Sequence, residues 1–152
     1  MVKRKVYLDN CCFNRPYDDQ IQEVIRLETG AKLYLQELIK AGELELVWSF
    51  ILDFENEANP HVEKKESIAE WRSIAKTSVA PLEAVRSAAI EIQSKTSLKA
   101  KDSLHLACAI LAEADNFVTT DKQILKKRNL LPTVAIVDPV ELVFILEGDH
   151  EI

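Results

Sequence analysis

The stretch Leu98-Lys99-Ala100-Lys101-Asp102-Ser103-Leu104-His105-Leu106-Ala107-Cys108-Ala109-Ile110-Leu111-Ala112 sets the reading of this chain. From Leu104 onward it is apolar nearly all round, the mark of a helix buried on every side. Asp102 stands at its amino-terminal end. A carboxylate there is costly unless something compensates it. The helix dipole supplies about 0.3–1 kcal/mol near a helix start, and a metal ion would supply more. Downstream, Asn116-Phe117-Val118-Thr119 reads as a strand, and Asp121 opens a short helix just beyond it.

Working outward, the same alternation covers the chain. Val6-Tyr7-Leu8 is a short apolar run that stops at Asp9 and reads as a buried strand. Asp18 and Asp19 offer N-cap chemistry to a long amphipathic pattern from Ile21 to Ile39, with Gly30 as a break between two helices and Gly42 as its C-cap. Leu44 to Trp48 forms a second strand, and Ser49 caps a short helix through Ala58 that Pro60 stops. Glu63 to Ile74 is helical, with Ile68, Trp71 and Ile74 inward. Pro81 falls in the first turn of another helix running to about Lys95. The helix after Asp102 runs to about Ala114. Thr133 to Val137 is a strand ending at Asp138, and Pro139 starts a final helix through Leu146. Strands alternating with helices predict an α/β fold: a central parallel sheet of four to five strands flanked by helices on both faces. The fifth depends on whether Ser78-Val79 is a strand or only a loop.

With 152 residues, 47% hydrophobic and 29% charged, the chain fits a single domain spanning 1–152 and excludes disorder or a fibrous repeat. No apolar run is long enough for a membrane span, and Met1 to Lys5 lead straight into the first strand, so a cytoplasmic protein is expected. Cys11, Cys12 and Cys108 lack the spacing of a zinc knuckle or a redox pair and read as small buried thiols. A net charge of −6 cuts against a simple nucleic-acid binder. A site that concentrates carboxylates around cations would account for it, because bound ions reverse the local sign.

Ligands of an open parallel sheet bind beyond the carboxyl ends of its strands. Asp9 follows the first strand directly and Asp121 lies two residues past Thr119, so both are aimed at the same edge, and Glu55, on the helix leaving the second strand, can lean back towards it. Each acid taken alone has an ordinary structural role: Asp102 and Asp121 as helix-start acids, Asp9 as a turn residue, Glu55 as surface charge. Together they would repel at neutral pH unless protonated or metal-bound. Magnesium prefers such oxygen ligands and keeps several waters, which suits phosphodiester hydrolysis. Around them, Asn10 could support Asp9, and Thr119 and Thr120 could bind phosphate or orient Asp121. His105, at i+3 from Asp102, could hydrogen-bond it or be a satisfied core histidine. Arg15, Lys99, Lys101 and Lys122 are candidates for substrate phosphates, or solvated surface.

In these segments the chain resembles the PIN-domain nucleases, including the VapC-like toxin ribonucleases. Tyr7-Leu8-Asp9-Asn10 is similar to that family's first strand and leading acid, and Ser49 to Glu55 to its second-strand exit. Leu98 to Ala109 is the nearest likeness, and Phe117-Val118-Thr119-Thr120-Asp121 is similar to the last acidic motif. The resemblance implies a Rossmann-like three-layer sandwich and endonucleolytic cleavage of RNA with Mg²⁺ or Mn²⁺. Asp9, Glu55, Asp102 and Asp121 would be catalytic, with Asp9, Asp102 and Asp121 on the metal. It also allows homodimers and, for a toxin of a type II toxin–antitoxin pair, an antitoxin partner. The first loop, Cys11-Cys12-Phe13-Asn14-Arg15-Pro16, departs from the commonest toxin pattern. Asp53 and Glu57 flank Glu55 on the opposite helix face and compete with it as the working acid.

Two other readings compete with the ribonuclease. One is a PIN-like module without chemistry that binds RNA or protein. The other, more remote, is an aspartyl-phosphate domain with Asp9 as nucleophile; the second Asp that haloacid-dehalogenase-like enzymes carry is replaced here by Cys11.

Overall fold

Five strands pair into one all-parallel sheet in the computed structural model, which describes residues 3–14 and 23–150. They are β1 (Lys5–Leu8), β2 (Glu45–Ser49), β3 (Thr77–Val79), β4 (Asn116–Val118) and β5 (Ala135–Val137), in spatial order β3-β2-β1-β4-β5. The inner strands are solidly apolar because both their faces are covered: Val6, Tyr7, Leu8, Leu46, Val47, Trp48, Phe117 and Val118 are all buried. The strand at Ser78-Val79 exists, but lies at the sheet edge and is only partly covered.

Eight helices connect and flank the strands among the described residues: α1 (Cys11–Asn14), α2 (Glu23–Lys40), α3 (Phe50–Glu57), α4 (Val62–Ile74), α5 (Glu83–Thr96), α6 (Ala100–Leu111), α7 (Lys122–Lys126) and α8 (Pro139–His150). The chain steps from β1 to β2 to β3 in one direction, then returns past β1 to place β4 and β5 on its other side. Right-handed crossovers therefore send the helices of the two halves to opposite faces. Accordingly α5 packs on α6, whereas α8, which follows the last strand, packs on α2. The reversal between β1 and β4 opens a crevice beyond their carboxyl ends, where Asp9 and Thr119 emerge.

Some boundaries differ from the sequence expectation. Helix α2 runs unbroken through Gly30, which is solvent-exposed with open space where a side chain would be. An exposed helical glycine costs only about 1 kcal/mol, and the buried Thr29, Ala31, Leu35 and Ile39 on either side hold the helix together. Gly42 does adopt a left-handed φ of 79° after it. Pro81 precedes α5, which begins at Glu83, and α8 continues past Leu146. The caps foreseen at Asp18 and Asp19 lie outside the described residues.

Ser49 does cap α3: its hydroxyl accepts the Leu52 N–H at 3.3 Å and also lies 2.7 Å from the Tyr7 hydroxyl. Replacing it by Ala removes both partners. Urea denaturation of Ser49→Ala should show a loss of about 1–2 kcal/mol, the upper part of the usual range for a lost cap.

Candidate active site

Asp9 continues the β1 ladder by one step, its N–H donating to the Val118 carbonyl at 2.9 Å. Its side chain is almost buried, at 8% exposure. One carboxylate oxygen accepts the Asn10 N–H at 2.8 Å, and the other accepts the Thr119 hydroxyl at 2.7 Å. The same hydroxyl oxygen accepts the Asp121 N–H at 3.0 Å. Thr119 therefore couples the end of β1 to the start of α7. Asp121 caps that helix through the Gln123 N–H at 2.8 Å. The turn after Asp9 is tied down from α2, where the buried Lys32 ammonium donates to the Cys11 carbonyl at 2.9 Å and Gln36 donates to the Cys12 carbonyl at 3.1 Å.

Glu55 enters the site through His105. The two side chains are directly hydrogen-bonded, Nε2 to Oε1, and Nε2 lies 3.9 Å from Asp9 Oδ1. On the far side of the ring, Nδ1 is 2.6 Å from the Tyr7 hydroxyl, which in turn reaches Ser49. A buried polar chain thus runs Ser49–Tyr7–His105–Glu55, fixing the imidazole from behind and the carboxylate in front. The competing acids are engaged elsewhere. Asp53 accepts from the Trp48 indole at 2.9 Å and from Arg72, while Glu57 pairs with Lys65. Of the three acids on α3, Glu55 is the one at the crevice.

The electrostatics follow from crowding charges in a half-dry crevice. Burial pushes the Asp9 carboxyl above its ordinary range, against opposition from His105, the Thr119 hydroxyl and the Asn10 N–H, and Glu55 adds to the rise. Burial also raises Asp102, helped by the charges of Asp121 and Asp9, with His105 and Lys99 opposing. For His105, burial alone would lower the pKa. The Glu55 hydrogen bond and the charges of Asp9, Glu55 and Asp102 outweigh it, and the net shift is upward.

These shifts make metal-free stability depend on pH in one direction. A carboxyl with a raised folded-state pKa binds its proton more tightly in the native state, so its contribution fades as pH rises through that pKa. His105 acts the same way: its contribution is full below the unfolded value of 6.5 and is lost above the raised folded value. Unfolding midpoints measured without divalent ions should fall between about pH 5 and about pH 8. A midpoint that climbs over that range would contradict the assignment.

The carboxylates of the site suit a hard divalent cation, while the His105 imidazole is engaged by Glu55. Ligand atoms of Asp9, Glu55 and His105 lie within 4.8 Å of one another. Asp102 and Asp121 stand outside that tight group, yet they are near enough that Asp121 and Asp9 both raise Asp102. The Asn10 side-chain oxygen is buried with no hydrogen-bond partner, an acceptor that the water shell of a hydrated ion would satisfy.

Other expected contributors fall in several places. Thr120 meets the site through its backbone N–H, which donates to Cys11 Sγ at 3.4 Å. Lys99 is close enough to Asp102 to lower its pKa, Lys101 lies over the Phe54 ring, and Lys122 is exposed on α7. Arg15 lies outside the described residues. Sequence reasoning missed Tyr7 and Cys11 as site components. Tyr7 carried one signal, a polar-tipped side chain within an otherwise apolar strand.

Among solved structures the chain is similar to that of VapBC2 from Rickettsia felis bound to a DNA fragment from their promoter, with a TM-score of 0.56 over 88% of this chain and 98% of that one. The likeness is one of fold. Sequence identity is 14%, and no protein-family profile or curated protein matches the chain. The five-stranded parallel sheet flanked by helices is consistent with a PIN-like fold. Among the described residues, no helix is long and apolar enough to cross a membrane.

Proposed function

We propose that this chain is a Mg²⁺- or Mn²⁺-dependent endoribonuclease and the toxin of a toxin–antitoxin pair. The observation that supports the reading is the pairing of Asp9, held by Thr119, with Glu55, held by His105, at one crevice, with Asp102 near enough to feel the charges of Asp9 and Asp121. The structural likeness to VapBC2 supports the toxin assignment and, with it, an antitoxin protein as partner.

In this reading Asp9 would hold the cation together with Asp102 and Asp121, acids near enough for Asp9 and Asp121 to act electrostatically on Asp102. When bound, the cation neutralises charge on the scissile phosphodiester and lowers the pKa of the attacking water. Asp9 is set by Thr119 and by its own turn, so its oxygens need no reorientation. Glu55 has one oxygen fixed on His105 Nε2; the other is left to orient a water and accept its proton. Tyr7, whose hydroxyl burial keeps neutral, holds the imidazole ring so that Nε2 stays on Glu55. Preorganisation of this kind is where an enzyme gains most of its rate.

The test is cleavage of a labelled single-stranded RNA by purified protein with Mg²⁺ or Mn²⁺, and with chelator. Wild type should cleave only with the metal, and Asp9→Asn should lose at least about 100-fold in rate, the scale for removing one charge-stabilising group. Full activity in Asp9→Asn, or cleavage indifferent to chelation, would remove the proposal.

A further inference from the structure

Phe54 is conspicuous on α3. Its neighbours Ile51 and Leu52 are buried, while Phe54 is 65% exposed. The Lys101 ammonium lies over its ring, 5.8 Å from the centroid, within reach of a cation–π contact. Phe54 immediately precedes Glu55, and Lys101 immediately precedes Asp102. Their contact therefore bridges α3 and α6 at the solvent rim of the two helices that bring acids to the crevice. Lys99, near enough to act on Asp102, adds a second positive charge there.

We infer that Phe54 is a stacking platform for one nucleobase of a single-stranded RNA, with Lys101 on the adjoining phosphate. This rests on the ribonuclease reading and names its substrate class. A chain of net charge −6 gains little from general attraction to a polyanion. Base stacking on an aromatic face does not depend on net charge and tolerates any base. A paired helix keeps its bases stacked on one another, so an exposed ring favours an unpaired strand. An exposed ring with one ammonium over it matches the alternation of base and phosphate along such a strand. Among the described residues, Tyr7, Phe13 and Phe117 near the site are buried and cannot serve.

The experiment is fluorescence anisotropy in chelator with a fluorescein-labelled oligouridylate of about ten nucleotides, and with its abasic counterpart. Phe54→Ala should weaken oligouridylate binding about tenfold, the scale of one lost base–aromatic stack, and leave abasic binding unchanged. Phe54→Trp should restore it. Lys101→Gln should weaken both ligands alike. Equal loss on both ligands in Phe54→Ala, no loss on either, or no binding by wild type would overturn the platform. The two readings separate cleanly. Wild type that binds in the expected pattern but fails to cleave RNA with Mg²⁺ or Mn²⁺ removes the nuclease and keeps the platform. Wild type that cleaves, with Phe54→Ala binding as well as wild type, does the reverse.

Discussion

Asp102→Asn is expected to abolish metal-dependent RNA cleavage while raising the melting temperature of the metal-free protein. The two effects have one cause. Asp102 stands in the first turn of α6, and its carboxyl is pushed up by burial and by the charges of Asp121 and Asp9. Its ionised form therefore costs the folded protein free energy at neutral pH. Asparagine removes that charge, and the carboxylate takes part in no hydrogen bond or ion pair among the described residues that would be lost with it. The variant should melt higher than wild type in chelator. With saturating Mg²⁺ the order should invert, because an ion bound only by the native state adds stability by mass action, and the variant has lost a ligand. Cleavage should drop at least about 100-fold. Paired melting curves with and without metal check the stability half. A variant that melts lower in chelator would show that Asp102 serves the fold as a helix-start acid.

Trp48→Ala carries the largest expected effect on folding. The Trp48 side chain is fully buried in β2, packs edge-to-face on Phe13 at 5.4 Å between centroids, and donates its indole N–H to Asp53 at 2.9 Å. Truncating a buried tryptophan costs about 3–5 kcal/mol, against a total stability for most domains of about 5–15 kcal/mol. Phe13 belongs to the turn that follows Asp9, so the cavity would also loosen the loop that sets the leading acid. Urea unfolding should show the loss, with Trp48→Phe recovering part of it. A cost below about 1 kcal/mol would mean the site can collapse around the gap.

The strands that carry the acids were legible because a parallel sheet covered on both faces demands continuous apolar runs. Val6 to Leu8 and Phe117 to Val118 satisfy that demand without competing signals. Asp9 and Asp121 were legible for the same reason, being the first charges past such runs. Gly30 misled because propensity is local, whereas α2 is held by residues on its buried face. The choice among Asp53, Glu55 and Glu57 was left open by helical spacing alone. In the fold Trp48 and Lys65 engage Asp53 and Glu57 while His105 engages Glu55, partners from other segments. His105 is the clearest case. Its spacing pointed to Asp102, yet it bonds Glu55 and a tyrosine 98 residues away in sequence. Such a pairing leaves no periodic trace, since it depends on which strand the buried helix covers.

Crystals soaked in Mn²⁺ give the most direct test of the carboxylate site as a metal-dependent catalytic centre. An anomalous peak within coordination distance of Asp9 and Asp102, absent from Asp102→Asn crystals treated alike, is the predicted result. Full Mn²⁺ occupancy elsewhere with this crevice empty, in crystals of protein that still cleaves RNA, would contradict it.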